Sequence, residues 1–196
     1  MTHRIYPVLK SLVVTTLLLV LVGCVSSKTV LRDVRIEDQQ AEIPFKNILV
    51  VSRASSHKNR GVIEDGLAHT LKGTTTQTGV TYKDIVGINP IPREKIKKLA
   101  VDGNYDAVLG AFLVNFQHPS AYSDMTAIAT PYGPRSMVTW TTADFVNIKL
   151  VLYDLESEKM VWSATSRTDR PESVRSTVKQ MAAAASEELR RFGYIE

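Results

Sequence analysis

Residues 46–53, KNILVVSR, set four aliphatic side chains, Ile48 to Val51, in one unbroken run. A short run of this kind, closed by polar residues on both sides, suits a strand covered on both faces. Crossover helices are then expected around it. Downstream, Ile63, Leu67 and Leu71 recur every four residues and predict a helix over 57–72. Ser55 or Ser56 is placed to cap it and Gly73 to end it, while Gly66 inside it weakens the propensity. Residues 79–86, GVTYKDIV, predict a second strand, and the NPIP turn leads to a short helix over 92–101. Pro92 suits its first turn, Ile96, Leu99 and Ala100 face inward, and Gly103 stops it. Residues 105–117, YDAVLGAFLVNFQ, form another apolar run, expected as a central strand with Gly110 at a bulge or a close crossing.

The remainder changes character. Residues 117–135, QHPSAYSDMTAIATPYGPR, hold three prolines and two tyrosines in a connection long for a compact domain. Such a stretch is expected to be functional, or to be a hairpin extension. In DFVNIKLVLYD, Val146, Ile148, Leu150 and Leu152 alternate with Asn147 and Lys149; in MVWSATSR, Met160, Trp162 and Ala164 are expected to share one side. The polar turn LESEK between them makes this a hairpin. Pro171 is expected to open a last helix to about 191. In it Val174, Val178, Met181, Ala185, Leu189 and Phe192 draw one apolar stripe. The expected order, β-α-β-α-β-β-β-α, gives an α/β fold: a mixed sheet of about five strands with helices packed on it.

The beginning of the chain reads differently. Arg4 and Lys10 precede the apolar stretch 11–23, SLVVTTLLLVLVG, which has the layout of an export signal. A bilayer-crossing helix needs about 20 apolar residues, and polar Ser26, Ser27 and Lys28 close this stretch soon after Cys24. Leu21-Val22-Gly23-Cys24 resembles the lipobox of bacterial lipoproteins. The resemblance implies cleavage between Gly23 and Cys24, a diacylglyceryl group on the Cys24 thiol, and further fatty acylation (palmitate-type chains) of the freed amine. Cleavage elsewhere by an ordinary secretory peptidase, or a buried structural cysteine, are the alternatives. Two or three acyl chains on one residue make a durable anchor where a single chain does not. By the sorting rule of enterobacterial lipoproteins, Val25 implies the outer membrane, facing the periplasm, with the inner membrane as the alternative. The expected organisation is a signal peptide at 1–23, a lipidated tether at 24–43, part of which Val30, Val34 and Ile36 mark as able to pack on the domain, and a single globular domain at 44–196. Cys24 is the only cysteine, so no internal disulfide is expected.

Charge excludes more than it proposes. The chain carries 24 basic and 20 acidic residues, and two of the basic ones belong to the signal, so no nucleic-acid partner is expected. Lys95, Lys97 and Lys98 read as a solvated helix face. Ser55-Ser56-His57-Lys58 matches the S-x-x-K spacing of penicillin-recognising hydrolases, in which the lysine takes the serine proton. No K-T-G or S-D-N accompanies it, and helix capping explains the serines. His57, His69 and His118 show no ligand spacing, and Asp154, Glu156 and Glu158 flank a turn, so no metal is expected. Phosphate-binding glycine loops are missing, and no cofactor is expected. Tyr122, Tyr132, Arg135 and Trp140 are the candidate partner-binding residues, since aromatics and arginine dominate binding hot spots. Tyrosines covering a hydrophobic edge are the plainer alternative.

Taken together, residues 44–192 resemble small envelope lipoproteins whose domain is similar to the amino-terminal domain of TolB, the broad LpoB- and CsgG-type group. The lipobox, Lys46–Arg53 with its helix, Tyr105-Asp106-Ala107-Val108-Leu109, and the hairpin from Leu152-Tyr153-Asp154-Leu155 to Met160-Val161-Trp162-Ser163-Ala164 carry the resemblance. It implies a fold and a setting and brings no active-site residues. The expected function is a non-catalytic, lipid-anchored periplasmic module that binds another envelope protein and supports envelope assembly or regulation. The alternatives are a hydrolase using Ser55 and Lys58, and a small-ligand or glycan-binding lipoprotein.

Overall fold

The structure, a computed structural model, describes residues 27–37, 43–54, 56–87, 91–117, 128–130, 133–135 and 144–196. At its centre β2 (Asn47–Ser52) runs parallel to β3 (Gln77–Val80) on one side and to β4 (Ala107–Gln117) on the other. Helix α1 (His57–Leu71) joins β2 to β3, and α2 (Arg93–Asp102) joins β3 to β4. Because β3 and β4 flank β2, right-handed crossovers must send the two helices to opposite faces of the sheet. Burial follows suit. Ile48 and Val50 enter a core with Ile63, Leu67 and Leu71 of α1. Leu49 and Val51 pack with Ala100, Ile96 and Leu99 of α2. The aliphatic run is thus covered on both faces, as its composition predicts. Asp106 fixes its start, accepting the Lys46 and Asn47 N–H groups at 2.7 and 2.9 Å.

Beyond β4 the sheet turns antiparallel: β4 pairs with β7 (Phe145–Asp154), β7 with β8 (Lys159–Asp169), and β8 with β1 (Lys28–Ile36). The strand order is β1-β8-β7-β4-β2-β3. A separate hairpin pairs β5 (Ile128–Thr130) with β6 (Gly133–Arg135), within the long stretch where an extension was one expectation. Helix α3 (Val174–Arg191) lies on the α1 face, capped by Ser173, with Val178, Met181, Ala185 and Leu189 buried along its stripe. Tyr194 closes the core, stacking on Phe45 and donating its hydroxyl to the Val161 carbonyl at 3.0 Å. The α/β class and mixed sheet stand as expected, with six strands in place of about five.

Three local expectations are corrected. Strand β3 ends at Val80 instead of spanning 79–86: the Thr81 N–H divides itself between the Val50 carbonyl at 3.3 Å and a buried carboxylate, Glu64, at 2.7 Å, and the Tyr82 N–H turns to Glu64 at 2.8 Å. Lys28–Ile36, expected within a tether, is a strand seated on β8, with Leu31 packed against the core. A bulge at Asp33 and Val34 breaks its alternation. Met160 and Trp162 do not share a side. The register slips between Leu152 and Tyr153, so Trp162 pairs with Leu152 and Met160 with exposed Tyr153. Val161, the extra residue, joins Trp162 in the core.

Candidate functional site

Helices α1 and α3 run side by side on the outer surface, and sequence decides how closely. A Cβ at Gly66 would run into Val178 Cγ1 of α3, and one at Gly61 would stand 3.3 Å from the Tyr82 ring. The two glycines therefore admit neighbours at backbone distance. Between the helices lies a groove of about 590 Å³ floored by Gly61, Val62, Gly66 and Val178. Its rim carries Lys58 and His57 from the first turn of α1, His69 from its last turn, and Arg175 and Lys179 from the first turns of α3.

Among the described residues Asp65 is the one acid lining the groove, and Tyr82 donates its hydroxyl to Asp65 Oδ2 at 2.9 Å. That bond first, then desolvation and the charges of Asp65 and Glu64, raises the Tyr82 phenol above its ordinary 10.0. The His57 ring meets the Tyr82 ring edge-on at 5.6 Å. Lys58, Arg175 and Lys179 outnumber Asp65 and leave the rim cationic over an apolar floor. Such a groove suits an anionic segment with an apolar side.

Beneath the groove lies the buried polar cluster that fixes its wall. Glu64 is fully buried. Its carboxylate accepts N–H groups of Ser52 at 3.0 Å, Thr81 at 2.7 Å and Tyr82 at 2.8 Å, and a hydroxyl bond from Thr81. Arg60, one helical turn earlier and also buried, donates Nε to Glu64 at 3.4 Å and a guanidinium N–H to the Ile85 carbonyl at 2.9 Å. One side chain thereby ties α1 to the ends of β2 and β3, and every oxygen is satisfied. A buried charge held by this many donors is a structural clamp.

The sequence candidates fare unevenly. Cys24, Gly23, Ser55, Tyr122, Tyr132 and Trp140 lie outside the described residues, and of Arg135 only the backbone, in β6, is described. The chain carrying the tyrosines leaves the sheet at Gln117 and returns beside Phe145, its register partner. Lys58, of the S-x-x-K spacing, lines the groove, and the Ser56 hydroxyl accepts from the Asn59 N–H at 3.1 Å as a helix cap. His57 and His69 are exposed, and Asp154 accepts the Glu156 and Ser157 N–H groups as a turn cap. Among the described residues no cluster of three or more metal-ligating side chains forms, and no helix is long and apolar enough to cross a membrane. Sequence reading missed Asp65, Tyr82, Arg175 and Lys179 as neighbours. Its one signal was the pair Gly61 and Gly66 inside a helix, which marks a close approach.

No family model matches the chain, and neither does any curated protein. Among solved structures the chain is similar to the PelC dodecamer from Paraburkholderia phytofirmans, at 15% identity over 86% of this chain and 100% of that one, with a TM-score of 0.45. It is also similar to lipoprotein GNA1162 from Neisseria meningitidis, at 18% identity over 74% of this chain and 98% of that one, with a TM-score of 0.39. Similarity at this level carries no functional argument.

Proposed function

We propose that this chain is a non-catalytic accessory domain of the bacterial envelope, anchored through acylated Cys24 to the outer membrane and facing the periplasm. It binds an acidic segment of another envelope protein in the groove between α1 and α3. The groove carries the binding part of this reading: three cations, Lys58, Arg175 and Lys179, stand over an apolar floor against a single acid among the described residues, Asp65. The anchor rests on Leu21-Val22-Gly23-Cys24 and the apolar stretch before it. A small ligand or glycan held by Tyr122 and Tyr132 would instead leave the groove idle.

The test is in-membrane crosslinking from a photoreactive residue at Val62, in the groove, with one at Glu94 on the far face of the sheet as control. A discrete protein adduct is expected from Val62 alone. Lys58→Glu with Lys179→Glu should weaken it about tenfold or more, since 1.4 kcal/mol of lost charge pairing suffices for that factor. Equal adducts from both positions, unaffected by charge reversal, refute groove binding. Loss of function in a folded, anchored Ser55→Ala variant refutes the non-catalytic reading in favour of the hydrolase.

A further inference from the structure

The order of the chain near its beginning restricts how the domain can sit. Ser27 is buried, and Gln180 of α3 donates Nε2 to its hydroxyl at 2.7 Å. Lys28 opens β1 opposite Asp169, and Thr29 Oγ1 bonds both Thr168 Oγ1 at 2.7 Å and Gln180 Oε1 at 3.1 Å. Ser27, three residues after Cys24, is thus already held by the fold. Even fully extended, three residues reach only about 11 Å. The polar layer of one bilayer leaflet is itself about 5–8 Å thick. An acylated Cys24 sits at the inner edge of that layer, so most of the reach is spent inside it.

Resting on the anchoring of Cys24, we propose that the domain is docked on phospholipid headgroups by the end of the sheet where β1 begins. That end is the register row Lys28, Asp169, Phe145 and Gln117, with the first turns of α3 beside it. Among the described residues there, the exposed cations are Lys28, Arg170, Arg175 and Lys179, against the exposed acids Asp144 and Glu172. Asp169 is already paired with Arg167 at 2.8 Å. The positive end of the α3 dipole points the same way. A cationic excess at this end fits anionic phosphates, which attract basic residues within a Debye length of the surface. The opposite end of the sheet, at the turn holding Glu156 and Glu158, stands about 30 Å away along the strands. Because Arg175 and Lys179 also line the groove, its occupant is met close to the membrane.

The full lipidated chain in phosphatidylglycerol-containing vesicles tests this, with gadolinium carried on a fraction of the lipid headgroups. Nitroxide labels are placed at Glu172→Cys, on the docked end, and separately at Glu156→Cys, on the far end; acylated Cys24 takes no label. Dipolar relaxation falls with the sixth power of distance, so about 30 Å of separation along the strands predicts at least a roughly tenfold stronger effect at 172. Adding Lys28→Glu and Arg170→Asp should lower that ratio about twofold or more. Aspartate is chosen because position 170 has φ of 50°. A ratio near one in a protein that is acylated and vesicle-bound refutes the docking alone. A ratio unchanged by charge reversal refutes the cationic contact. A bare thiol by intact mass, with protein that washes off the vesicles, overturns the anchoring reading and this inference with it.

Discussion

Glu64→Gln tests the clamp under the groove, because the substitution keeps shape and removes charge. A carboxylate offers two acceptor oxygens; the amide offers one, with an NH2 group in place of the other. If the NH2 takes one oxygen's place, it confronts the Ser52 N–H and Arg60 Nε; if it takes the other, it confronts the Thr81 and Tyr82 N–H groups. In the first case two buried donors are orphaned; in the second the Tyr82 N–H is, while the Thr81 N–H keeps the Val50 carbonyl at 3.3 Å. Hydrogen bonds to a charged acceptor contribute about 1.5–3 kcal/mol each. Removing one partner of a buried ion pair costs about 3–5 kcal/mol. The two figures describe overlapping losses, so about 4 kcal/mol is expected in total. For a domain of this size each kcal/mol moves Tm by about 2–4 °C, which places the drop at roughly 8–16 °C. Arg60→Met should cost less, about 3 kcal/mol, the low end of the ion-pair range, because three backbone donors still hold the carboxylate. Urea and thermal unfolding followed by far-ultraviolet circular dichroism measure both. A loss below about 1 kcal/mol for Glu64→Gln, or the reverse order of the two variants, would refute the clamp.

Gly66→Ala should destabilise by about 1–3 kcal/mol in urea unfolding, through its collision with Val178, although alanine favours helix by about 1 kcal/mol. Val178→Ala in the same chain should recover part of that loss. The Tyr82 phenol should titrate above 10.0 in ultraviolet difference absorbance, and Asp65→Asn should bring it back toward that value. The sign follows from which form bonds: the protonated hydroxyl donates to Asp65. The stability this bond contributes is whole below the ordinary value of 10.0 and is lost as pH rises through the raised one.

Where one segment's own pattern decides its structure, the sequence suffices. Ile48 to Val51 and Ala107 to Ala111 are apolar on both faces, and both are central strands. The α3 stripe from Val178 to Leu189 is buried as its spacing predicts. What was not legible depends on partners distant in the chain. Strand β3 stops where it does because Glu64, 17 residues before Thr81, captures its next N–H groups. Strand β1 reads as tether because charges and the bulge at Asp33 break its period of two, and its seat exists only once β8 is in place. The groove escaped for the same reason: Lys58 and Arg175 meet only through the packing of α1 on α3.

The bond between Thr29 and Thr168 spans 139 residues and sets an order of assembly. The chain is made from its amino-terminal side, so β1 exists long before the strand it must join. Until β8 is synthesised, β1 waits as an unpaired ribbon, and the rim of β8 then stays bare until β1 seats. Closing so wide a loop late is slow, and an open strand rim can template a neighbouring chain. The scattered charges of KTVLRDVRI, which hide the strand from a reader, also keep the waiting segment soluble.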